Sequence, residues 1–130
     1  MKESYEPITR EIIGLAMRVH TSLGPGLLES VYQECLYFEI NRKGMKVEKE
    51  KKLPVYYETL TLDSGYRLDL LVEDKIVVEL KSVEEMRELY TAQLLTYMKL
   101  GNFPVGLLIN FNVPRLKEGI KRLINGKYAL

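Results

Sequence analysis

The residues best suited to chemistry lie in one short stretch, Arg67-Leu-Asp69-Leu-Leu-Val-Glu-Asp-Lys-Ile-Val-Val-Glu79-Leu-Lys81. Two apolar runs flank a polar Glu73-Asp74-Lys75 corner, a pattern that predicts a β-hairpin. Charged groups nevertheless sit inside both strands: Asp69 in the first, Glu79 and Lys81 in the second. A strand buried on both faces reads as a near-continuous Val/Ile/Leu run. Carboxylates and an amine placed there are costly unless they pair or bind a metal. Glu79 and Lys81 share a face because side chains alternate along a strand. Two acids and a lysine on one sheet suit metal-assisted phosphodiester hydrolysis. The acids would hold Mg²⁺ or Mn²⁺, and the lysine would orient or activate water.

That chemistry makes a demand on the hairpin. Directly opposed residues of an antiparallel pair share a face. A two-residue loop at Asp74-Lys75 would oppose Asp69 to Leu80 and separate the two acids. A three-residue loop, or a bulge, opposes Asp69 to Glu79 and Arg67 to Lys81. The metal site requires this odd register. Charges at a sheet edge, or a structural Asp–Lys pair, account for the same residues equally well, because ion-pair networks also gather charges.

Length and composition bound the answer. The chain of 130 residues is sized for one domain with one core. Its 46% hydrophobic and 28% charged residues are an ordinary globular mix. The net charge of +1 argues against strong non-specific nucleic-acid binding, so a nucleic-acid role needs a local patch. A single Cys35 excludes an intramolecular disulfide and a multi-cysteine zinc site. Its helical setting reads as a small core residue. No apolar stretch approaches the ~20 residues that span a bilayer. Met1-Lys-Glu-Ser-Tyr-Glu lacks the apolar segment of a signal peptide, so the expected location is cytoplasmic.

The elements that must position the acids follow from periodicity. Ile8, Ile12, Ala16, Val19 and Leu23 predict a helix from about Pro7 to Leu23. Gly24-Pro25-Gly26 ends it, with Pro25 in the first turn of a second helix that runs to about Lys43. Leu28, Val31, Cys35, Leu36 and Phe38 are available for its buried side. Val47 to Tyr57 reads as β-structure, with Pro54 marking an edge or a bend. After the turn at Asp63-Ser64-Gly65 comes the hairpin. A helix from about Val83 to Leu100 follows, then a buried strand over Val105 to Phe111. A last helix is expected over Pro114 to Asn125, with Leu116, Ile120, Leu123 and Ile124 on its apolar side. The order α-α-β-β-β-α-β-α predicts an α/β fold with a mixed sheet flanked by helices.

Two helical constellations accompany the hairpin. Glu29 and Tyr32 share a helix face, with Glu29 in the first turn where the dipole favours an anion. A dipole-stabilising glutamate beside a packed tyrosine is the simplest account of them alone. Tyr90, Gln93 and Tyr97 line one face of the later helix and suit hydrogen bonding to, and stacking on, a nucleotide. A polar-aromatic stripe sealing the sheet fits them equally. His20, just before the glycine turn, reads as a capping or packing residue. Lys46, Lys49, Lys51 and Lys52 alternate with Glu48 and Glu50 and read as a solvated edge that blocks strand pairing.

Taken together, these blocks resemble a known family. Val19-His20-Thr-Ser-Leu23-Gly24-Pro25-Gly26-Leu-Leu-Glu29-Ser-Val-Tyr32 looks like the signature of the GxxExxY family of small proteins. Tyr66-Arg67-Leu68-Asp69-Leu70-Leu71-Val72, Glu79-Leu80-Lys81, Ala92-Gln93-Leu94-Leu95-Thr96-Tyr97 and Ile109 to Leu116 match its later blocks. This family resembles a branch of the PD-(D/E)XK nuclease superfamily. Leu68 stands where the superfamily name has proline, and Tyr90 where the family often has histidine.

The resemblance implies a single restriction-endonuclease-like domain over residues 1–130 acting as a Mg²⁺-dependent phosphodiesterase on DNA or RNA. It implies that Glu29, Asp69 and Glu79 bind metal, joined by the Leu80 carbonyl. Lys81 would position the hydroxide, and Gln93 and Tyr97 would contact substrate. Nucleic acid is the expected partner and a membrane is not; a protein partner and a homodimer stay open. The alternative is a non-catalytic nucleic-acid-binding or partner-binding module that retains the fold.

Overall fold

The structure, a computed structural model, describes residues 4–63 and 65–128. Helix α1 (Glu6–Leu23) begins with Pro7 in its first turn and buries Ile12, Leu15, Ala16 and Val19 as one stripe. Gly24 stops it at φ 73°, where its N–H donates to the His20 carbonyl at 2.7 Å. Helix α2 (Glu29–Arg42) starts four residues later than Pro25 suggested. The intervening loop is fixed instead by Tyr32, whose hydroxyl donates to the Gly24 carbonyl at 2.6 Å and accepts the Leu27 N–H at 3.1 Å. The buried side of α2 is Tyr32, Leu36 and Ile40, one residue per turn, with Cys35 packed beside them. Leu28, Val31 and Phe38, expected inward, lie exposed.

Among the described residues seven strands follow: β1 (Val47–Lys52), β2 (Val55–Tyr57), β3 (Leu60–Leu62), β4 (Arg67–Val72), β5 (Ile76–Lys81), β6 (Val105–Asn110) and β7 (Ile120–Ile124). Helix α3 (Glu88–Gly101) connects β5 to β6. The main sheet has the order β1-β4-β5-β6-β7, while β2 and β3 form a separate two-stranded ribbon. Only β5 and β6 are parallel, as a strand–helix–strand crossover requires. All six residues of β6 are buried, as are five of the six in β5, which explains why both are largely apolar, with the buried Glu79 as the exception in β5.

One core layer lies between the sheet and α1 with α2, built on Ile12, Tyr32, Leu36, Leu70, Val78, Leu80, Leu107, Ile109 and Phe111. Tyr32 stacks on Phe111 there, ring centroids 4.3 Å apart. The other layer joins Leu71, Val77 and Leu108 to Leu94 and Met98 of α3. Gly106 brings α3 close: a Cβ at that position would lie 2.6 Å from the Met98 sulfur.

The α/β architecture is the expected one; its last element is not. The segment read as a helix over Pro114 to Asn125 forms a 3-10 turn (Leu116–Gly119) and then β7. Its apolar residues fit a short strand as well as a helix. The decision falls to β6, whose outer backbone groups would otherwise be buried without partners. Strand β7 pairs with them from Val105↔Ile124 to Ile109↔Ile120. Ile120 then packs into the α1–α2 layer and Leu123 into the α3 layer. Arg122 bonds Glu6 and Thr9 of α1, and Lys121 bonds Thr91 of α3. The third helix also starts later than Val83, at Glu88. Val83 is held in a loop by Asn110, whose side-chain amide bonds both the N–H (3.1 Å) and the carbonyl (3.0 Å) of that residue. Among the described residues no helix is long and apolar enough to cross a membrane.

Candidate functional site

The site is set by how β4 turns into β5. Glu73 and Asp74 both take positive φ (53° and 58°), and the Lys75 N–H closes the turn on the Val72 carbonyl at 3.0 Å. Glu73 is secured from outside, its N–H on the Lys46 carbonyl and its carboxylate on the Lys46 N–H. Pairing resumes at Val72↔Ile76 and continues through Leu70↔Val78, so the loop holds three residues and the register is the odd one. Ladder pairing stops at Leu70↔Val78, and the same register carried one step further sets Asp69 against Glu79.

At that step side chains take over the strand contacts. Asp69 Oδ2 accepts the Leu80 N–H at 2.8 Å, and Glu79 Oε2 accepts the Asp69 N–H at 2.9 Å. Both carboxylates thus bridge the two strands. Burial pushes the Glu79 carboxyl up to about 8, and the neighbouring Asp69 charge pushes the same way. Burial also raises Asp69, against the stabilising Leu80 N–H; the charges of Glu50 and Glu29 add to the rise and Lys81 opposes it. Two buried acids this close cannot both ionise without a nearby positive charge.

Glu50 is a participant that the sequence concealed within an alternating Lys/Glu run. The β1–β4 register runs Lys49↔Leu70 and Lys51↔Leu68, and at the step between them, where Glu50 and Asp69 fall, the pairing is interrupted with Glu50 exposed. Its φ is 53°, and it raises both acids. Only the placement of β1 beside β4 reveals this. Strand β1 is an edge of the sheet, as expected, and the lysines on and just before it are paired: Lys46 with Asp74, Lys49 with Glu34 and Lys51 with Glu48.

The face of β5 that carries Glu79 and Lys81 meets α3. The Lys81 ammonium lies 4.4 Å from the centre of the Tyr90 ring. Tyr97, one helical face along, has its hydroxyl raised by burial and then by the charges of Glu79, Tyr66 and Asp69. Its ring is 6.0 Å from that of Tyr66. Gln93 is exposed on the same helix.

Glu29 approaches from the opposite layer, bonded to Ser82 beside Lys81 and not to either acid. It is the first residue of α2, and its Oε2 accepts the Ser82 N–H at 3.3 Å. Ser82 Oγ in turn donates to the Leu27 carbonyl at 2.6 Å, so the start of α2 is fastened to the end of β5. His20 is committed elsewhere, with Nε2 donating to the Val113 carbonyl at 2.8 Å.

The donors available to an ion are hard carboxylate oxygens, which suit Mg²⁺ or Mn²⁺ and not a soft metal. Among the described residues no three His, Cys, Asp or Glu side chains are grouped so as to hold a metal ion, so Glu29 is not brought together with Asp69 and Glu79 as the sequence led us to expect. Asp69 and Glu79 are occupied by backbone N–H groups, and Glu29 by Ser82. The raised acids nevertheless fit a cation, since a positive charge would relieve both.

Comparison with known proteins gives one match. No curated protein and no solved structure matches the chain. A family model described as the PD-(D/E)XK nuclease superfamily matches residues 6–123, a span that holds all of α1 to β6, both bridging acids and Lys81. The chain belongs to the PD-(D/E)XK nuclease superfamily.

Proposed function

We propose that this protein is a GxxExxY-type member of its superfamily and a Mg²⁺- or Mn²⁺-dependent phosphodiesterase that cuts DNA or RNA. The observation that carries the reading is the Asp69–Glu79 step, where two buried acids are held across adjacent strands with raised pKa. Buried acids without a structural cation are costly, and a function requiring one explains their retention.

In this reading Asp69 and Glu79 hold the ion, with Glu29 and the Leu80 carbonyl beside them. A bound divalent ion supplies Lewis acidity and a water of lowered pKa. Lys81 positions the attacking oxygen. Its charge lowers both acids, yet its ammonium rests on Tyr90. In this reading it turns toward the water and the scissile phosphate when substrate is bound. Tyr97 and Gln93, on the helix that covers this face, contact the substrate. The second reading, a non-catalytic nucleic-acid or partner-binding module, draws on the occupied state of the carboxylates. Metal-dependent cleavage of a DNA and RNA panel, with Lys81→Ala as control, separates them. Cleavage that needs the ion and Lys81 establishes the enzyme, while binding without cleavage establishes the module.

A further inference from the structure

The chain leaves the main sheet at Leu53 and returns at Tyr66, where the Leu53 N–H donates to the Tyr66 carbonyl at 2.9 Å. Beyond this closing bond stands the β2–β3 ribbon, paired Val55↔Leu62, Tyr56↔Thr61 and Tyr57↔Leu60. Apart from the exposed Glu58 at its turn, its large side chains are aromatic or aliphatic and uncovered: Tyr56 is 65% exposed, Tyr57 69% and Leu60 53%. A two-stranded ribbon has little stability of its own, and contiguous exposed apolar surface marks an interaction site.

Three features point to one occupant. First, aromatic rings run from the foot of the ribbon to the acids. Tyr66 is half exposed and lies 6.0 Å from Tyr97, whose hydroxyl feels the charges of Glu79 and Asp69. Second, Lys52 stands directly opposite Arg67 at the same foot. Like charges so placed repel, and among the described residues neither has a carboxylate within ion-pair distance. An anionic backbone laid between them removes the repulsion. Third, tyrosines dominate the exposed large side chains here, and aromatic faces beside cations are the recurring means of holding unpaired bases. The aliphatic Leu60 and Leu62 would also suit a second copy of the chain, which the test below includes.

We infer that the β2–β3 ribbon and Tyr66 hold an unpaired nucleic-acid strand, bases on the tyrosine rings and phosphates against Lys52 and Arg67, and lead it to Asp69 and Glu79. The preferred substrate is thus a single strand or a frayed end. This deepens the nuclease reading and rests on it for what happens to the strand once delivered.

The test is fluorescence anisotropy of labelled oligothymidylate and of a matching duplex, with the full chain in EDTA so that nothing is cut. The single strand should bind more tightly than the duplex. Tyr66→Ala and the double variant Tyr56→Ala/Tyr57→Ala should each weaken it about tenfold, while Phe at these positions keeps binding within about twofold. Lys52→Gln/Arg67→Gln should flatten the dependence on salt. Thermal melts identify an alanine variant that fails to fold, in which case the Phe and Gln variants decide. Duplex bound as tightly as single strand, or alanine variants that fold and bind like wild type, would overturn the inference. So would a wild-type dimer in sedimentation that the alanine variants dissolve, since the ribbon would then serve a second copy. If strands are held through the ribbon but never cut with Mg²⁺ or Mn²⁺, the nuclease reading fails and this surface stands. If duplexes are cut and ribbon variants change nothing, the reverse holds.

Discussion

The Lys81 ammonium rests on the face of Tyr90, 4.4 Å from the ring centre, and forms no ion pair with Asp69 or Glu79. A cation–π contact of this kind is worth about 0.5–2 kcal/mol, enough to keep the lysine from collapsing onto the acids. Tyr90→Phe should therefore behave as wild type. Tyr90→Ala should let Lys81 swing onto the carboxylates and compete with the metal, lowering Mg²⁺ affinity and cleavage by about three- to tenfold. Calorimetric titration of Mg²⁺ reads this directly. An alanine variant with wild-type metal affinity would show that the ring does not hold the lysine.

The raised Glu79 carboxyl predicts an unusual pH dependence. Its folded value of about 8 exceeds the ordinary value of 4.5, so between these limits the folded protein binds a proton that the unfolded chain does not. That contribution is complete below about 4.5 and is lost as pH rises through about 8. Without divalent ions the melting temperature should fall between pH 5 and pH 8.5, by on the order of 5–10 °C. Glu79→Gln should flatten the profile and melt higher than wild type at the alkaline end. A profile that rises with pH would contradict a buried, protonated Glu79.

Metal should act in the opposite sense. Mg²⁺ or Mn²⁺ displaces the proton, so the ion should stabilise the fold most at the alkaline end, by mass action. Asp69→Asn and Glu79→Gln should each abolish most of that stabilisation, and Glu29→Gln should weaken it. Melting temperatures that ignore a wide metal titration would favour the non-catalytic module.

Lys81→Ala should keep metal-induced stabilisation and reduce cleavage at least about a hundredfold, the scale of a lost acid–base or positioning group. Gln93→Ala and Tyr97→Phe should instead weaken substrate binding while leaving metal binding close to wild type. A Lys81→Ala protein that cuts at the wild-type rate would remove the lysine from the chemistry.

Tyr32 tests the scaffold under Glu29. Its buried hydroxyl serves both Gly24 and Leu27, so Tyr32→Phe leaves two backbone groups without that partner. The cost should be about 1–3 kcal/mol, read as a lower melting temperature. If Tyr32→Phe melts with wild type, the loop does not depend on the hydroxyl.

The sequence by itself determined the parts whose cause is local. The glycine turn after α1, the charged residues inside two apolar runs and the polar corner between them are legible because turn chemistry and strand alternation act over a few residues. The two acids and the lysine could therefore be named as candidates from the sequence alone. The tertiary structure decided what depends on neighbours distant in the chain. The odd register of β4 on β5 rests on a loop held by Lys46, a residue from β1's approach. Glu50 joins the acids only because β1 lies beside β4. Residues 120–124 became a strand because β6 needed hydrogen-bond partners, a requirement absent from their own periodicity. Lys81 acquired Tyr90 only when α3 crossed that face of β5. Side-chain spacing is written in the chain; which partner satisfies a backbone group or a charge is settled when the layers pack.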